Sequence, residues 1–508
     1  MTILTDLLER SVDDRERALL LSDRAVVFAG RGDEFQARAD LELALQLDGE
    51  CGPARENLLV LQTHCDRTEL PESEQRSAAR PTRIAFLSLL FNWPSTGGGT
   101  VHTYEATSFL QRAGYDVCHI FARFSGTAPG LGGDAGRFPW SVGRVAVDLP
   151  VPAIPVEFES EDWNERIIQR RLRDAVDRFD PDYVVITSSW NTQSLLAEAV
   201  AGYPYLLRFA ALEGICPLNN VRLLIDDRGQ VVQCVSDQLS APDRCRQCVA
   251  ANGRLSGGLH RAERALGGFK RPDYGLRLRR TLRNAHAVLA VNPQIADLLA
   301  PHASHVRVVP SGFDPDRFPQ QYIPPPDSTD RRLRILFAGL TEEFMKGFQV
   351  LQAAGEQLWQ RRKDFEIIVT ADPAGRINEY TRAIGWQSQT DLPDVIVNAD
   401  LLAFPTVAQE ALGRSAVEAM GCGRPVVASR LGGLNWVVEH GRTGLLFAPG
   451  DVAGLARQIE RLLDDSDLRE QLGRAARAKF VREFTWDVIL TREYFPIFGR
   501  PLHMEATR

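Results

Sequence analysis

Apolar residues along the chain fall into two rhythms that change near residue 83. Before it, Ala25, Phe28, Ala37, Leu41 and Ala44 recur at three- and four-residue intervals around a turn at Gly30-Arg31-Gly32-Asp33, and Asp48-Gly49 closes the second segment. That spacing predicts helices over residues 1–65. Residues 66–82, DRTELPESEQRSAARPT, are polar and proline-bounded and read as a linker. Beyond them, short apolar runs alternate with helical stretches. RIAFLSLLF reads as a strand, TVHTYEATSFLQRAG as a helix ended by Gly114, and YDVCHIFA as a second strand. The rhythm recurs at DYVVITSS, YLLRFA and AVLAVN, then restarts after YIPPPDSTDRR with RILFAG, EIIVTA, LLAFPT and PVVAS. Strands alternating with helices predict α/β, doubly wound parallel sheets covered on both faces. The restart predicts two such domains, residues 83–320 and 331–485, and residues 486–508 are expected as a helix crossing back onto the first.

The 508 residues exceed what one core usually supports. A formal net charge of -7 argues against a nucleic-acid binder held by overall charge. The N-terminus MTILTDLLERSVDDRERALL has neither the pattern of a signal peptide nor that of a transit peptide, and no apolar run approaches the roughly 20 residues that span a bilayer. A cytoplasmic chain is expected, with peripheral contact at the inner membrane face left open. The small residues of the arm fall where tetratricopeptide repeats place theirs, so it resembles one and a half such repeats; a plain helical hairpin is the alternative. Either leaves a face for a neighbouring domain, a protein partner or self-association.

The stretch QEALGRSAVEAMGCGRPVVASRLGG carries the chemistry. LLAFPT delivers the chain to Glu410 at the carboxyl end of a buried strand, where open α/β sheets bind ligands. A helix starting near Gly413 offers unpaired amides and a positive dipole end to an anion such as a diphosphate. Glu410 can accept hydroxyls of a polyol, and Glu418, about a turn further, both hydroxyls of a ribose. Isolated, two glutamates eight residues apart are usually solvated helix charges; a diol site, an anion site and a polyol site together describe a nucleotide-sugar.

These residues resemble the donor site of the retaining, family-four (group 1) glycosyltransferases of GT-B fold: a strand, E-x-F-G-x-x-x-x-E-A-M-A-C-G-x-P-V-V-A-S, then G-G. Leu412 replaces the phenylalanine and Gly421 the alanine. VVEHGRTGLLFAPGDVAGLARQIERLL, DLPDVIVNADLLAFPT and VRVVPSGFDPDRF extend the likeness over residues 83 to about 500, most weakly at 125–175. The resemblance implies two Rossmann-like domains with a cleft between them, and Glu410, Lys346 and Gly98 at the reacting centre. It implies Gly97, Gly99, Leu412, Gly413, Arg414, Glu418, Trp386 and Gly339 around a UDP-, GDP- or ADP-sugar, with no catalytic divalent metal. Lysine appears only at 270, 346, 363 and 479, so its use in FMKGF suits a need for a compact ammonium. The glycines of STGGGTVHTYE let backbone approach donor and acceptor; His102 either faces the cleft or is merely exposed. The chain departs from the family twice. Leu340 follows Gly339 where an arginine is usual, making Arg414 the candidate replacement, and Ala210 stands where many relatives carry a histidine, leaving Arg208 and Glu213 as nearby candidates.

Cys216, Cys234, Cys245 and Cys248 are spaced C-x17-C-x10-C-x2-C, which suits a closed structural zinc site on an excursion of the first domain. Unligated thiols, or a disulfide in an oxidising compartment, are the alternatives. Cys51, Cys65, Cys118 and Cys422 read as packing residues. Arginines and a lysine from Arg254 to Arg283 form either a patch for anionic lipid or acceptor, or an ordinary solvated helix face. The sequence thus predicts transfer of a sugar from a nucleotide-sugar, with retention, to a glycan, lipid-linked, small-molecule or protein acceptor. A GT-fold scaffold without activity and a nucleotide-sugar epimerase are the competing readings; a dehydrogenase is disfavoured, since the glycine spacing is not GxGxxG.

Overall fold

The computed structural model describes Leu4, Leu8, and residues 11, 13–29, 34–58, 80–91, 93, 97–124, 149, 151–187, 190–226, 230–325 and 331–501. The chain separates into two compact units, Met1–Arg80 and Pro81–Arg508.

In the first unit, helices α1 (Asp14–Ala29) and α2 (Glu34–Leu47) are followed by a helical segment over residues 52–58. Ala18, Leu21 and Ala25 pack with Ala37, Leu41, Ala44, Cys51 and Ala54. Small residues at helical spacing let the two backbones come close. Arg24 fastens the pair, donating from Nε and Nη2 to the two oxygens of the buried Asp40 at 2.6 and 2.9 Å. Cys65 and most of the linker lie outside the described residues.

The second unit holds two seven-stranded sheets. The first comprises β1 (Arg83–Ser88), β2 (Asp116–Phe124), β3 (Ala153–Phe158), β4 (Tyr183–Thr187), β5 (Tyr205–Phe209), β8 (Ala287–Ala290) and β9 (Val306–Val308), in the order β3-β2-β1-β4-β5-β8-β9. All its pairs are parallel; Leu87 of β1, for example, lies between Ile120 and Ile186. A hairpin of β6 (Leu223–Ile225) and β7 (Val231–Gln233) stands apart from this sheet. The second sheet comprises β10 (Leu333–Phe337), β11 (Phe365–Val369), β12 (Gly375–Arg376), β13 (Thr381–Ala383), β14 (Leu401–Phe404), β15 (Val426–Ser429) and β16 (Gly444–Phe447), ordered β12-β13-β11-β10-β14-β15-β16. Only the short β12 runs antiparallel. In both sheets the order reverses beside the first strand, the topology that opens a ligand crevice at the carboxyl ends.

Helix α3 (Gly98–Arg112) follows β1, α4 (Gly258–Leu266) belongs to the excursion between β5 and β8, and α5 (Arg414–Gly421) follows β14. Near the C-terminus, α6 (Ser466–Glu483) packs on the second sheet's core through Leu472. The chain then returns to the first domain, where Trp486, Ile489, Tyr494, Phe495 and Phe498 share a core with Ile84, Phe86 and Ala106. This return is one continuous helical stretch, Trp486–Phe498, whose turns differ in kind. It is a short turn Trp486–Ile489, a π-helical turn Leu490–Tyr494 and a last turn Phe495–Phe498. Pro496 at the start of that last turn brings no N–H, so the regular ladder cannot run through it. Residues 502–508 lie outside the described residues.

Candidate functional site

The site begins where β14 ends. Thr406 turns the chain: its hydroxyl donates to the Met345 carbonyl at 2.9 Å, and the Val407 amide donates to the same carbonyl at 2.9 Å. These bonds lay the loop before α5 against the turn that carries Lys346. Gly347 makes the contact possible, because its φ is +76° and a Cβ there would sit 1.9 Å from the Pro405 oxygen. Lys346 Nζ consequently donates to Glu410 Oε1 at 2.7 Å, with the two side chains 30% and 17% exposed. The neighbouring Glu410 carboxylate holds the Lys346 ammonium pKa above its ordinary value.

The other side of Glu410 is closed by Gly432 and Gly433. The Gly433 amide donates to the Glu410 carbonyl at 2.7 Å, and Cβ atoms at the two glycines would lie 2.4 Å from the Glu410 oxygen and 2.0 Å from the Ala411 oxygen. The paired glycines therefore allow one backbone to lie directly on another. Gly413, with φ +76°, starts α5, and Leu412 and Gly413 are buried beneath the helix start. Glu418 lies in α5 at 1% exposure; Arg317 is 3.9 Å from its Oε1, beyond hydrogen-bond reach, and that oxygen has no partner. Burial raises the Glu418 pKa, opposed by Arg414 and Arg317. A buried, under-satisfied carboxylate a turn into the helix is suited to paired hydroxyl donors.

The first domain faces this loop and holds it. Gln233, at the end of β7, donates to the Val407 carbonyl. The Gln409 side chain donates to the Cys234 carbonyl at 3.2 Å, and its amide to the Val221 carbonyl at 3.4 Å. From the other side, Asn292 donates to the Ala411 carbonyl. Residues 407, 409 and 411 are thus fixed from across the cleft while Glu410 between them points to Lys346.

Helix α3 brings the glycine loop to the same place. Gly97 is its N-cap, a Cβ at Gly98 would lie 3.2 Å from Arg414 Cδ, and one at Gly99 would lie 3.2 Å from Ala210 Cβ. His102 is buried, so the exposed alternative is corrected: its Nε2 lies 3.4 Å from the Tyr494 hydroxyl. Burial, with Arg208 and Arg414, lowers its pKa well below the ordinary histidine range. One turn further along the same face, Glu105 accepts from Arg414 Nη2 at 3.1 Å and from Arg317 Nη1 at 3.3 Å. Arg208 is buried and donates from Nη1 to the Val309 carbonyl, while Glu213 is buried and accepts from the Ala210 amide at 2.8 Å. Trp386, at 45% exposure, follows β13 and donates its amide to Asp372 at 3.0 Å. Gly339 and Leu340 follow β10, and Leu340 leaves that strand end without a cation.

Glu105, Arg317, Asn292, Gln233 and Gln409 escaped the sequence reading. Arg317 stood inside a motif already singled out, and Glu105 lies at helical spacing from Gly98 and His102; the remaining three carry no local signal.

The zinc expectation is corrected. Cys216, Cys234, Cys245 and Cys248 line one cavity of about 340 Å³, together with Arg222 and Arg244. Among the described residues no three or more histidine, cysteine or acidic side chains gather where they could hold a metal. The thiols turn instead to the chain: Cys216 Sγ accepts from the Asn219 amide at 3.5 Å, and Cys234 Sγ is 3.8 Å from the Ser236 carbonyl. Burial pushes the Cys245 thiol up to about 12. The described cysteines are all free, and Cys51, Cys118 and Cys422 are buried.

Part of the basic stretch is paired within the fold. Arg277 pairs with Glu198 and Glu165, Arg271 with Glu165 and Asp273, and Arg264 donates to the Pro217 carbonyl at 2.7 Å. Among the described residues, no helix is long and apolar enough to cross a membrane.

Two parallel-sheet α/β domains, with an acidic loop and helix start at the strand ends of one facing a glycine-started helix of the other, define the GT-B class. Residues 332–465 match the family of glycosyl transferases group 1, and residues 97–312 match the glycosyl transferase 4-like domain. On these two matches the chain belongs to the group 1 glycosyltransferases. It is 29% identical over 213 residues to the glycogen synthase of Mycobacterium tuberculosis, covering 40% of this chain and 50% of that protein. It is 31% identical over 202 residues to the D-inositol 3-phosphate glycosyltransferase of Salinispora tropica, covering 36% and 41%. The chain thus spans about half the length, or less, of these curated relatives. Among solved structures, it is similar to the sucrose-phosphate synthase of Thermosynechococcus elongatus (TM-score 0.54, 20% identity, 82% of this chain and 99% of that one). It is also similar to the Anabaena protein HepE in complex with UDP and glucose (TM-score 0.53, 17% identity, 82% and 99%).

Proposed function

We propose that the chain transfers a sugar from a nucleotide-sugar to an acceptor, with retention of configuration at the anomeric carbon. The observation that carries this is the convergence of Lys346 on Glu410 beside the start of α5, with the unsatisfied Glu418 one to two turns along. Glu418 takes the ribose hydroxyls, Glu410 the sugar hydroxyls, and Lys346 with the α5 amides takes the diphosphate. The anomeric carbon–phosphate oxygen bond breaks as the acceptor hydroxyl bonds to the same face of that carbon, and the acceptor proton passes to the leaving phosphate oxygen. No protein base is needed in this step, which accommodates Ala210 at the position of the usual histidine. The protein contributes positioning and stabilisation of the leaving diphosphate. HepE, solved with UDP and glucose, supports a nucleotide donor for this fold.

The acceptor is a glycan, a lipid-linked sugar, a small molecule or a protein, and the N-terminal arm, read as repeat-like, is the surface offered to a protein partner. A second reading, a scaffold of the same fold without activity, draws on Leu340 and Ala210. Thermal shift with UDP, GDP, ADP, TDP and NAD, on wild type and Glu418→Ala, tests the donor site. A selective shift with one diphosphate, lost in the variant, is expected. Slow hydrolysis of the matching nucleotide-sugar then separates an enzyme from a scaffold, and no response to any diphosphate rejects the donor reading.

A further inference from the structure

The cavity lined by the four excursion cysteines stands outside the donor chemistry. Its walls come from three pieces of chain: Cys216 from the turn after β5, Cys234 from the end of β7, and Cys245 and Cys248 from the helix Pro242–Asn252. At about 340 Å³ it has room for a small molecule. Cys216 and Cys245 are buried, while Cys234 and Cys248 are half-buried. Burial and the Cys234 charge raise the Cys248 thiol pKa, opposed by the Asn252 hydrogen bond and by Arg244. The two half-buried thiols thus feel each other across the cavity. A metal needs three or four ligands to meet at one point; a disulfide needs only two sulfurs.

The same cavity carries positive charge short of an acceptor. Arg222 is 4% exposed, yet its Nε has no hydrogen-bond partner. Its φ of +49° lies in the left-handed region that side-chained residues rarely adopt, and its carbonyl accepts from the Cys234 amide at 2.9 Å. A strained backbone thus sets a buried guanidinium on the cavity wall that Arg244 also lines. Such a wall suits a molecule bearing carboxylates. The raised Cys248 pKa leaves little thiolate at neutral pH, so its oxidation is slow unless the oxidant is held in place. The end of β7 also holds the donor loop: the Cys234 carbonyl accepts from the Gln409 side chain at 3.2 Å, and Gln233 donates to the Val407 carbonyl. Residues 234–237 form no regular structure and Val235 is 81% exposed, so little packing resists a shift of this stretch.

We propose that this cavity is a thiol-oxidation site: it takes a small disulfide bearing carboxylates and closes a Cys234–Cys248 disulfide that loosens the donor loop. The Cys248 thiolate attacks one sulfur of the small disulfide, and the other sulfur leaves as a thiolate. The Cys234 thiolate then attacks the Cys248 sulfur of the mixed disulfide and expels the second small thiolate. Two protein thiols lose two electrons and two protons as one small disulfide becomes two thiols. The protein sulfurs must close to about 2 Å, which draws the end of β7 toward the helix Pro242–Asn252 and away from Val407 and Gln409. The oxidised chain therefore holds Glu410 less firmly. That control of the donor loop rests on the nucleotide-sugar reading above; the oxidation does not.

Trypsin leaves the four cysteines on separate peptides, with Cys234 in residues 229–244 and Cys248 in residues 247–254. The reduced full chain is treated with glutathione disulfide, or with cystamine, a disulfide that carries ammonium groups and no carboxylate, and its unreduced peptides are mapped by mass spectrometry. Peptide 229–244 is expected joined to 247–254, about tenfold faster with glutathione disulfide than with cystamine, and dithiothreitol parts them. Arg222→Gln loses that preference, and Cys234→Ser stops at a glutathione adduct on Cys248. Calorimetric titration with the nucleoside diphosphate that binds then compares reduced and oxidised chain. Oxidation is expected to weaken binding by about tenfold, the loss of two hydrogen bonds to the loop. Cys248→Ser binds like the reduced wild type and does not respond to oxidant. No joined peptide, a different pair, or an equal or faster reaction with cystamine overturns the site. A joined pair with unchanged diphosphate affinity overturns its control of the donor loop. If the reduced chain binds no nucleoside diphosphate, the donor reading fails and the peptide map still decides the oxidation site. Melting curves of each variant and of the oxidised chain show whether a loss reflects unfolding.

Discussion

Glu418→Gln should make the ligand-free protein more stable and the donor complex weaker. The carboxylate is buried, one of its oxygens has no hydrogen-bond partner, and Arg317 approaches no closer than 3.9 Å. At an effective dielectric constant near 20, a charge pair at that distance attracts by about 4 kcal/mol. The direction of the Glu418 pKa, raised by burial against Arg414 and Arg317, says desolvation outweighs the attraction. Removing the charge therefore relieves a penalty of about 1 kcal/mol, the low end for an unsatisfied buried polar group, and raises Tm by about 1 °C, because at about 2.1 cal/mol/K per residue the unfolding entropy of a chain this long is roughly 1 kcal/mol/K. The sign depends on pH. A carboxyl whose folded pKa exceeds its unfolded value of 4.5 is penalised only above 4.5, so the variant's advantage at pH 7 should vanish near pH 4. In the complex, the amide keeps one acceptor oxygen and loses the charge and the second acceptor. That loss is about 2 kcal/mol, about thirtyfold in affinity for the nucleoside diphosphate and for the nucleoside alike. Melting at pH 4 and 7 and titration calorimetry at pH 7 read both effects. A lower Tm at pH 7 would refute the desolvation argument, and unchanged nucleoside affinity would refute the ribose assignment.

Two further variants probe the frame around the site. Glu263 in α4 is buried and its carboxyl is pushed up to about 8 by desolvation, with a Trp190 backbone hydrogen bond opposing. The folded protein thus keeps a proton that the unfolded chain releases, and stability should fall as pH rises from 4.5 to about 8; at about 1.36 kcal/mol per pH unit the span is about 5 kcal/mol. Glu263→Gln should flatten that slope in denaturant titrations, and an unchanged slope would assign the pH dependence elsewhere. Gly347→Ala places a methyl 1.9 Å from the Pro405 oxygen at a φ of +76°. It should cost about 2 kcal/mol or more and part Lys346 from Glu410; a variant with wild-type Tm and diphosphate affinity would show that the turn is not what sets Lys346.

The sheets were legible because most of their strands are apolar runs of four to nine residues bounded by turns. Helix α5 was legible because Gly413 and Gly423 bracket it. Strand β3 was not read: at the edge of its sheet it is only half-buried and carries Pro155 and Glu157, so it lacks the apolar run of the central strands. The charge network was not read for a different reason. Glu105 and Arg414 are separated by 309 residues, and neither stands out locally from an ordinary helix charge. The cysteine spacing suggested a metal, yet spacing says which thiols can meet and not whether their sulfurs converge. The pairing of Arg277 was likewise not legible, because its partners Glu165 and Glu198 lie well upstream in the chain.

The loop carrying Glu410 belongs to one domain by sequence and is completed by the other in space, through Gln233, Val221, Cys234 and Asn292. Such a molecule is not modular in the way its two sheets suggest. A chimera that joins this donor half to the acceptor half of a relative would inherit every donor residue and still lose the bonds that hold Glu410 in place. Exchange of acceptor halves, whether by recombination or by engineering, would have to carry the β6–β7 hairpin and Asn292 along with it.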